Sequence, residues 1–541
     1  MLQTIYSYNQ LEKITAQANE LEALMINFIK YPLKSKEILT LSEQITKFTV
    51  LKELYINFQE CLIGSDGVHS LMHFLNGMHC LENISINLMF NKIRQEGVQE
   101  LVQGLNKCEN LRKLMINISD NQIGSEGIKI FTSNFIPCRK IENLTINLEN
   151  NQILQYNISG LTKILNGIEQ CLNLQSLNLN LANNQLAEIG AQSISTTLQN
   201  CPNLISLSLN LWFNKIKPIG ARHLSQGIQY CCKLQTLFLN LEYNQLEDEG
   251  IQQISDSFKN LALLTKLTLL LWGNQVKFNG ISVLSQAIAK LKILKSLTLG
   301  FEENEICREG SKQLSQAIKK NTDLQFLQLN FWFSTFDEYS CQEISKGFKY
   351  CQNLISICIS LNNNKIKQEG VKSIVEGLIE CKSLDQLNLN IEGNGVGVEG
   401  VLELLRLFQN LYNLKDVCLN LGLNQIGEQG CVILSEALQH LKSLKKLQLK
   451  LQGNSIKEAG VKIIQLGINK LETISMLNLN LYNNEIGGKG VYNFCQGLKY
   501  NNKLKQLNID LRWNQISPQY ILKVKHMLHK LKRLVILQSY I

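Results

Sequence analysis

The sequence is poor in proline and has no long apolar run. Only five prolines occur in 541 residues, and no linker-like stretch rich in Pro, Gly or Ser divides the chain. This argues against several tethered domains. The most apolar segment, residues 261–272, is too short to cross a membrane and contains Lys266. The N-terminus lacks a basic start followed by an apolar core, so neither a signal peptide nor membrane attachment is predicted.

Charge and catalytic signatures are also scarce. The net charge of +9 is modest for this length, so nucleic acid is not indicated as a partner. Cys-x-x-Cys spacing is missing, and no paired carboxylates or Ser/His/Asp arrangement stands out. The sequence therefore predicts a non-enzyme without a metal, cofactor or small-molecule substrate.

What the sequence does contain is a repeat. An asparagine recurs every 30 residues, with one step of 33, and degenerate copies extend this register to 17 repeats. We call these residues the turn asparagines, and they stand at positions 91, 121, 151, 184, 214, 244, 274, 304, 364, 394, 424, 454, 484 and 514. Tyr31, Cys61 and Ser334 occupy the same position in the degenerate copies.

Each repeat predicts a strand followed by a helix. Leu or Ile alternates with polar residues before the turn asparagine, as at Leu477, Leu479 and Leu481. A glycine and apolar residues at helical spacing follow it. Since such a unit cannot bury its own apolar side, we expect stacked copies with one parallel sheet on the concave face and helices on the convex face.

The segment "LKSLKKLQLKLQGNSIKEAG" (441–460) resembles a leucine-rich repeat of the ribonuclease-inhibitor class. The resemblance covers the whole chain and implies an α/β solenoid, a right-handed horseshoe. One departure is that the apolar alternation before the asparagine is two residues longer than in the family, which predicts a longer strand or a bulge. In that family the asparagine is buried in the turn and binds backbone groups. The predicted parts are an N-terminal cap at 1–50, regular repeats at 51–514, and a basic capping helix and last strand at 515–541.

Two further repeat positions have structural interpretations. A second asparagine lies four residues before many turn asparagines, for example Asn210 and Asn480, and is interpreted as a ladder of stacked amides or, alternatively, as a polar binding surface. Cysteines recur after the helix and are interpreted as buried, reduced thiols of an intracellular, cytoplasmic protein. They lie at positions 108, 138, 171, 201, 231, 351 and 381.

Two local motifs resemble ligand sites. Gly395, Gly397 and Gly400 fit the dinucleotide-binding spacing, but Gly400 is simply the repeat glycine. His69 and His73 have a spacing that can hold zinc. However, they lie outside the apolar positions of the helix and are interpreted as part of its solvated face.

The candidate binding site is a column of aromatic and acidic residues two residues before the turn asparagine. Three of the four tryptophans fall in this column, in alternate repeats. Exposed aromatic residues in a row are typical of an interaction surface, whereas the alternative is that the rings cover the edge of the sheet. With the neighbouring residues, the predicted partner-binding set is Trp212, Phe213, Glu242, Tyr243, Trp272, Glu302, Trp332 and Phe333. The repeat around Trp332 also has Ser334 and Ser340 in place of the repeat residues, together with Phe336 and Tyr339, which favours a site there.

The predicted function is a protein-interaction scaffold or recognition protein that binds a macromolecular partner on its concave face. Two alternatives are a regulator of a small GTPase and a ciliary or cytoskeletal component. The first follows from a resemblance to Ran GTPase-activating proteins, with Arg94 as the candidate arginine. A third mode of binding, to an acidic partner, would use the basic C-terminal residues Lys523, Lys525, Lys530, Lys532 and Arg533.

Overall fold

The computed structural model describes residues 2–6, 20–135, 139–153, 170–529 and 534–541, together with residues 10, 18, 168 and 531. It divides into two compact units, unit 1 (Met1–Asn274) and unit 2 (Gln275–Ile541). Both units alternate strands with helices, as the repeat predicts, and each is described by itself. The predicted α/β solenoid is confirmed within each unit.

Unit 1 contains a parallel sheet of short strands connected by helices. Its strands are β1 Leu2–Ile5, β2 Ala23–Asn27, β3 Glu53–Asn57, β4 Asn83–Asn87, β5 Lys113–Asn117, β6 Asn143–Asn147, β7 Ser176–Asn180, β8 Ser206–Asn210, β9 Thr236–Asn240 and β10 Lys266–Leu270. Its described helices are Ser35–Ile45, Gly64–Met72, Arg94–Leu105, Gly124–Asn134, Ala187–Gln199, Lys217–Ile228 and Glu247–Ser257, with short 3₁₀ helices at His73–Gly77 and Phe258–Asn260.

Unit 2 repeats the same arrangement. Its strands are β11 Ser296–Gly300, β12 Phe326–Asn330, β13 Ser356–Ser360, β14 Gln386–Asn390, β15 Asp416–Asn420, β16 Lys446–Lys450, β17 Met476–Asn480, β18 Gln506–Asp510 and β19 Ile536–Tyr540. Its described helices are Phe278–Ile288, Arg308–Lys320, Glu338–Phe348, Lys367–Leu378, Gly397–Asn410, Gly427–Leu438, Lys457–Asn469, Gly487–Leu498 and Pro518–His529.

Neighbouring strands within a unit pair in register, repeat position against repeat position. Leu207 of β8 lies opposite Leu237 of β9, and Asn210 lies opposite Asn240. Strands β2 to β18 are the ones that precede the 17 predicted turn positions, and β19 is the predicted last strand. Strand β1, which pairs with β2, was not predicted.

The core of each unit lies between the sheet and the helices. In the repeat of β8, Leu207 and Leu209 of the strand and Leu224 and Ile228 of the following helix are fully buried. The repeat glycine allows this helix to approach its neighbour, because a Cβ on Gly220 would lie 2.7 Å from Ile216 Cγ2 and 3.3 Å from Glu188 Cα. The face of the sheet that carries no helices is called the open face below.

The strands are not longer than the family pattern requires, contrary to one of the two expectations. Each strand from β2 to β19 has five residues, and each from β2 to β18 ends four positions before the turn. The third leucine of the repeat, such as Leu211, follows the strand and is still fully buried. Its N–H donates to Asn240 O at 2.8 Å, and Phe213 N donates to Glu242 O at 3.0 Å. The alternation of inward and outward side chains therefore continues past the strand end.

Candidate protein-binding surface

The turn asparagines hold successive repeats together by side-chain to backbone hydrogen bonds. Asn214 is fully buried. Its Nδ2 donates to Leu181 O at 2.9 Å and Leu211 O at 3.1 Å. Its Oδ1 accepts from Asn184 N at 3.0 Å and Leu186 N at 3.1 Å. Without Asn214 the turn would bury the two N–H groups with no acceptor, so the predicted structural role is confirmed.

The second asparagine, at the end of the strand, has a different role from the predicted amide ladder. Its Oδ1 accepts from the N–H two residues further on, as Asn210 does from Trp212 at 3.3 Å. This bond is an Asx turn, which bends the chain out of the strand. The same contact is made by Asn57, Asn87, Asn117, Asn147, Asn180, Asn240, Asn390, Asn420 and Asn480.

An amide-to-amide contact between these strand-end asparagines occurs once in the described residues. Asn87 Nδ2 donates to Asn57 Oδ1 at 3.0 Å. The predicted ladder is therefore wrong as a general mechanism. In the other repeats the amide oxygen accepts a hydrogen bond from its own turn, as in Asn147 and Asn210, and the turn contact is the recurring one.

The residues two before each turn position form what we call the outer row, and their side chains lie on the open face. In unit 1, Asn180 Nδ2 donates to the carboxylate of Glu149 in the outer row at 2.9 Å. In unit 2, Glu392 accepts from Asn420 Nδ2 and from Gln452 Nε2, both at 2.8 Å. Because strand-end side chains contact outer-row side chains in both units, the column containing the tryptophans is on the side away from the helices.

Unit 1 carries the larger group of aromatic rings, which we call patch 1: Trp212, Phe213, Tyr243 and Trp272. The ring centroids of Trp212 and Phe213 are 5.8 Å apart, those of Phe213 and Tyr243 are 6.4 Å apart, and those of Tyr243 and Trp272 are 5.1 Å apart. Both tryptophans are half-buried, and Phe213 is 48% exposed. The four residues therefore form one chain of touching rings.

Glu242 lies in the outer row between the two tryptophans of patch 1. Burial raises the pKa of its carboxyl group, and a hydrogen bond from Asn240 partly opposes this. Burial disfavours the charged form of the carboxyl group, and a cation or hydrogen-bond donor would stabilise it. Glu242 is therefore a candidate contact for a cationic or hydrogen-bonding group of a partner.

Unit 2 carries a smaller group, which we call patch 2: Trp332 and Phe333. Their ring centroids are 5.3 Å apart, Trp332 is half-buried, and Phe333 is 52% exposed. Glu302, the preceding member of the outer row, is also half-buried. The predicted site residues thus fall into two patches, and each unit contains one.

In the irregular repeat next to patch 2, other contacts made by residues of this repeat replace those of the missing asparagine and glycine. Ser334 is buried, donates to Phe301 O at 2.8 Å, and so retains part of the asparagine's role. Phe336 is fully buried and stacks on Phe331 at 4.5 Å, so it belongs to the core and not to a surface site. Asp337 caps the following helix by accepting from Ser340 N at 2.8 Å. The lost repeat residues therefore give no separate argument for a site.

The residues directly before the turn positions, which we call the tip row, have left-handed backbones. Phe213, Tyr243 and Phe333 have φ values of 55°, 52° and 49°. Glycine or asparagine fills the same position in several other repeats, at Asn150, Asn183, Gly273, Asn363, Gly393, Gly453 and Asn483. Left-handed backbone costs most residues about 1–2 kcal/mol, and least glycine and asparagine. The aromatic residues are therefore placed here at a local cost in stability.

Sequence reasoning missed a further aromatic group near the end of unit 2. The rings of Tyr482 and Trp513 are 6.2 Å apart, and Trp513 is 74% exposed with a φ of 61°. The Arg512 guanidinium lies 5.9 Å from the Tyr482 ring and 5.3 Å from the Tyr540 ring. Tyr482 and Arg512 belong to the outer row and Trp513 to the tip row. Reading those rows to their ends would have found the group.

The two ligand-like motifs behave as structural features. Gly395 and Gly397 have φ values of 63° and 64°, and their equivalents in other repeats are also left-handed. The two glycines therefore have the backbone conformation that this turn requires. His69 is exposed and pairs with Glu100 at 2.8 Å, as expected of a solvated helix face. The described part of the chain holds no cluster of three or more residues suited to a metal ion.

The charged candidates lie on exposed surfaces. Arg94 is exposed at the start of a helix, with a left-handed φ of 55°. The same repeat position elsewhere holds varied residues, including glycine, alanine, lysine, glutamate, cysteine, aspartate and serine. Lys523 and Lys525 are exposed on the last described helix, whereas Lys530, Lys532 and Arg533 lie outside the described residues.

The recurring cysteines are buried in the described repeats. Cys138 lies outside the described residues. Burial raises the pKa of the Cys231 thiol to about 12, whereas its neighbour Cys232 is exposed. The thiolate is the reactive form, so burial lowers both access and reactivity.

We therefore expect iodoacetamide to modify Cys232 in the native protein and to leave Cys231 unmodified. Exposed Cys80 and Cys307 should react as Cys232 does. Site-resolved mass spectrometry measures this, and denatured protein, in which all thiols react, is the control. Equal labelling of Cys231 and Cys232 in native protein would show that the helix face is not packed as described.

A family model described as a leucine-rich repeat matches residues 107–129 and 230–255. Each match covers most of one strand–helix repeat of the kind found throughout the described chain. The chain therefore contains leucine-rich repeats, and its described units have the fold of such repeats. One solved structure that matches, a leucine-rich repeat protein of Leptospira interrogans, is 17% identical over 99% of this chain and 100% of that chain, with a TM-score of 0.41. No curated protein matches the sequence.

Leucine-rich repeat proteins are generally non-catalytic scaffolds for protein–protein interaction. In this one, none of the helices in the described ranges combines the length and hydrophobicity needed to cross a bilayer.

Proposed function

We propose that this leucine-rich repeat protein is a non-catalytic recognition scaffold that binds a protein partner on its open face, through patch 1 and patch 2. The ribonuclease-inhibitor-like subclass, an intracellular location and the division into caps at 1–50 and 515–541 around repeats 51–514 belong to the same proposal. Buried cysteines that form no disulfide, such as Cys231, Cys351 and Cys381, support the location.

The observation that carries the proposal is the placement of large aromatic side chains on left-handed backbone. Phe213 and Phe333 are about half exposed, so they contribute little to the core. Folding alone would favour glycine or asparagine there, which other repeats have. Residues that have a strained backbone conformation and do not stabilise the fold are concentrated at functional sites. Tryptophan and its aromatic neighbours are also the most frequent energetic anchors of protein interfaces.

The chemistry of patch 1 suits a mixed apolar and polar partner surface. Its rings contact one another at tilted angles, and Glu242 lies between the tryptophans in the outer row. Aromatic rings supply contact area at low entropic cost. The acid would fix the orientation of a partner residue that donates hydrogen bonds.

The test is affinity capture from the native source, with bound proteins identified by mass spectrometry. We expect Trp212→Ala with Trp272→Ala to lose partners that use patch 1, and Trp332→Ala to lose those that use patch 2. Trp513→Ala is the matched control, because this tryptophan is exposed outside both patches. Circular dichroism checks that the variants remain folded. If all variants retain the partners of the wild-type protein, the proposal is wrong.

A further inference from the structure

A separate groove lies on the open face of unit 1 and crosses strands β5 to β9. Its volume is about 270 Å³. Met115 lies toward one end and Phe238 toward the other, and side chains of Asn117, Asn147 and Asn210 line the space between them. None of the residues of patch 1 lines this groove, so it is a distinct feature of the same face.

The groove presents amide N–H groups as donors. Asn117, Asn147 and Asn210 use Oδ1 to accept from the N–H two residues further on, at 3.1, 3.0 and 3.3 Å. This contact fixes the orientation of each amide, so that Nδ2 is directed away from the turn. In the described ranges, none of these three Nδ2 groups donates a hydrogen bond. They are therefore oriented donors on a rigid sheet.

The groove is also uncharged. Its lining consists of amides, the hydroxyls of Thr145 and Ser208, and apolar side chains. Glu149, in the neighbouring outer row, is already bound by Asn180. By contrast, the equivalent rows of unit 2 contain Lys450 and Asp510. A charged ligand would lose hydration in the groove without gaining an opposite charge, so the groove favours a neutral ligand.

The spacing of the donors disfavours an extended peptide. Neighbouring strands are about 4.8 Å apart, whereas same-side carbonyls of an extended peptide repeat every two residues, at about 6.8 Å. The donors lie on β5, β6 and β8, so they are spaced by about 4.8 Å and then by about 9.6 Å. Neither spacing is a multiple of the peptide repeat, so a peptide crossing the strands cannot place a same-side carbonyl at each donor. A sugar chain carries hydroxyl groups on every ring, each of which both donates and accepts. Its apolar C–H faces also match flat or flexible apolar side chains such as Phe238 and Met115.

We propose that this groove binds a neutral carbohydrate chain laid across strands β5 to β9. The amides of Asn117, Asn147 and Asn210 donate to its hydroxyl oxygens, and the hydroxyls of Thr145 and Ser208 exchange hydrogen bonds with it. Phe238 and Met115 pack against its apolar faces. The site does not depend on the aromatic patches proposed to bind a protein partner.

The experiment is binding of the full chain to an array with three kinds of probe. These are neutral gluco-, manno- and N-acetylglucosamine oligosaccharides, sulfated oligosaccharides, and an uncharged peptide rich in Asn, Ser and Gly. We expect binding to one or more neutral oligosaccharides only. Asn117→Asp and Asn210→Asp should each weaken it at least tenfold, because the acid keeps the turn contact but loses the donor. Asp510 makes that same turn contact in β18, accepting from Arg512 N at 3.2 Å.

Asn480→Asp is the matched control, since it makes the same change at the same repeat position in unit 2. Met115→Glu adds a charge through a side chain that is 49% exposed, so it tests the groove without disturbing the turn. Its control is Gln448→Glu at the equivalent position of β16. The inference is overturned if no neutral oligosaccharide binds, if the peptide or sulfated probes bind as well, or if the groove variants bind like their controls. Patch variants should retain carbohydrate binding, which separates this result from a failure of the proposed protein-binding function.

Discussion

Replacing Asn214 with alanine should destabilise unit 1 by at least about 2 kcal/mol, since two buried N–H groups lose their partner and each such loss costs about 1–3 kcal/mol. The substitution leaves the N–H groups of Asn184 and Leu186 without their acceptor. The carbonyls of Leu181 and Leu211 lose one hydrogen bond each and keep those from Asn184 Nδ2 and Asn244 Nδ2. All of them lie in turns that are closed to water, so solvent cannot replace the lost amide without opening the stack.

Asn210→Ala is the matched control, because it removes an asparagine of the same repeat. Asn210 is only half-buried, and its described contact is one bond from Trp212 N at 3.3 Å. We expect this change to cost about 1 kcal/mol. An intermediate result is expected for Asn214→Ser, because Ser334 performs part of the same role in the irregular repeat.

Hydrogen exchange at the amides of Asn184 and Leu186, together with urea unfolding, measures the effect. Local exchange is needed because a repeat protein opens in parts, so a single unfolding midpoint is incomplete. Equal losses for Asn214→Ala and Asn210→Ala would contradict the structural role assigned to the turn asparagines.

The regular part of the fold was predictable because the repeat register alone locates the elements. An asparagine at each turn and alternating leucines before it indicate where each strand ends, and the strands β2 to β18 follow that register. The open-face position of Trp212 could also be predicted, since alternation continues from Leu207 through Leu211. Identical spacing in many copies leaves few alternative arrangements.

The turn chemistry was not predictable from the same pattern. A row of asparagines such as Asn210 fits either a ladder between strands or an Asx turn within one chain, and only the backbone after the strand decides between them. Phe336, by contrast, lies two residues after the turn position, where other repeats have a buried residue such as Ile216 or Ile366, so the register does indicate its burial. The left-handed tip row is a property of backbone torsion, which an aromatic residue does not indicate.

Replacing Phe213 and Phe333 with asparagine should have a large effect on affinity for the partner and a small effect on stability. Asparagine already occupies this position on left-handed backbone at Asn183 and Asn363. Relief of about 1 kcal/mol of backbone cost offsets the loss of ring contacts with Trp212 and Trp332, which are worth about 0.5–1.5 kcal/mol. We therefore expect the unfolding free energy to change by less than about 1 kcal/mol.

Partner affinity should fall much further than stability. Truncating an interface anchor costs about 2 kcal/mol or more, which corresponds to roughly thirtyfold weaker binding for each residue. Leu423→Asn is the control, because Leu423 shares the tip-row position, a left-handed φ of 55° and an exposure of 54%, but lies outside both patches. It should leave partner affinity unchanged.

The most direct test of the account is therefore to measure unfolding free energy and partner affinity on the same protein, Phe213→Asn with Phe333→Asn. The account predicts unchanged stability with affinity for the captured partner lowered by a factor of about thirty or more. Unchanged affinity, or a loss of stability equal to that of a core substitution, would contradict it, because the aromatic residues would then serve the fold and not a partner.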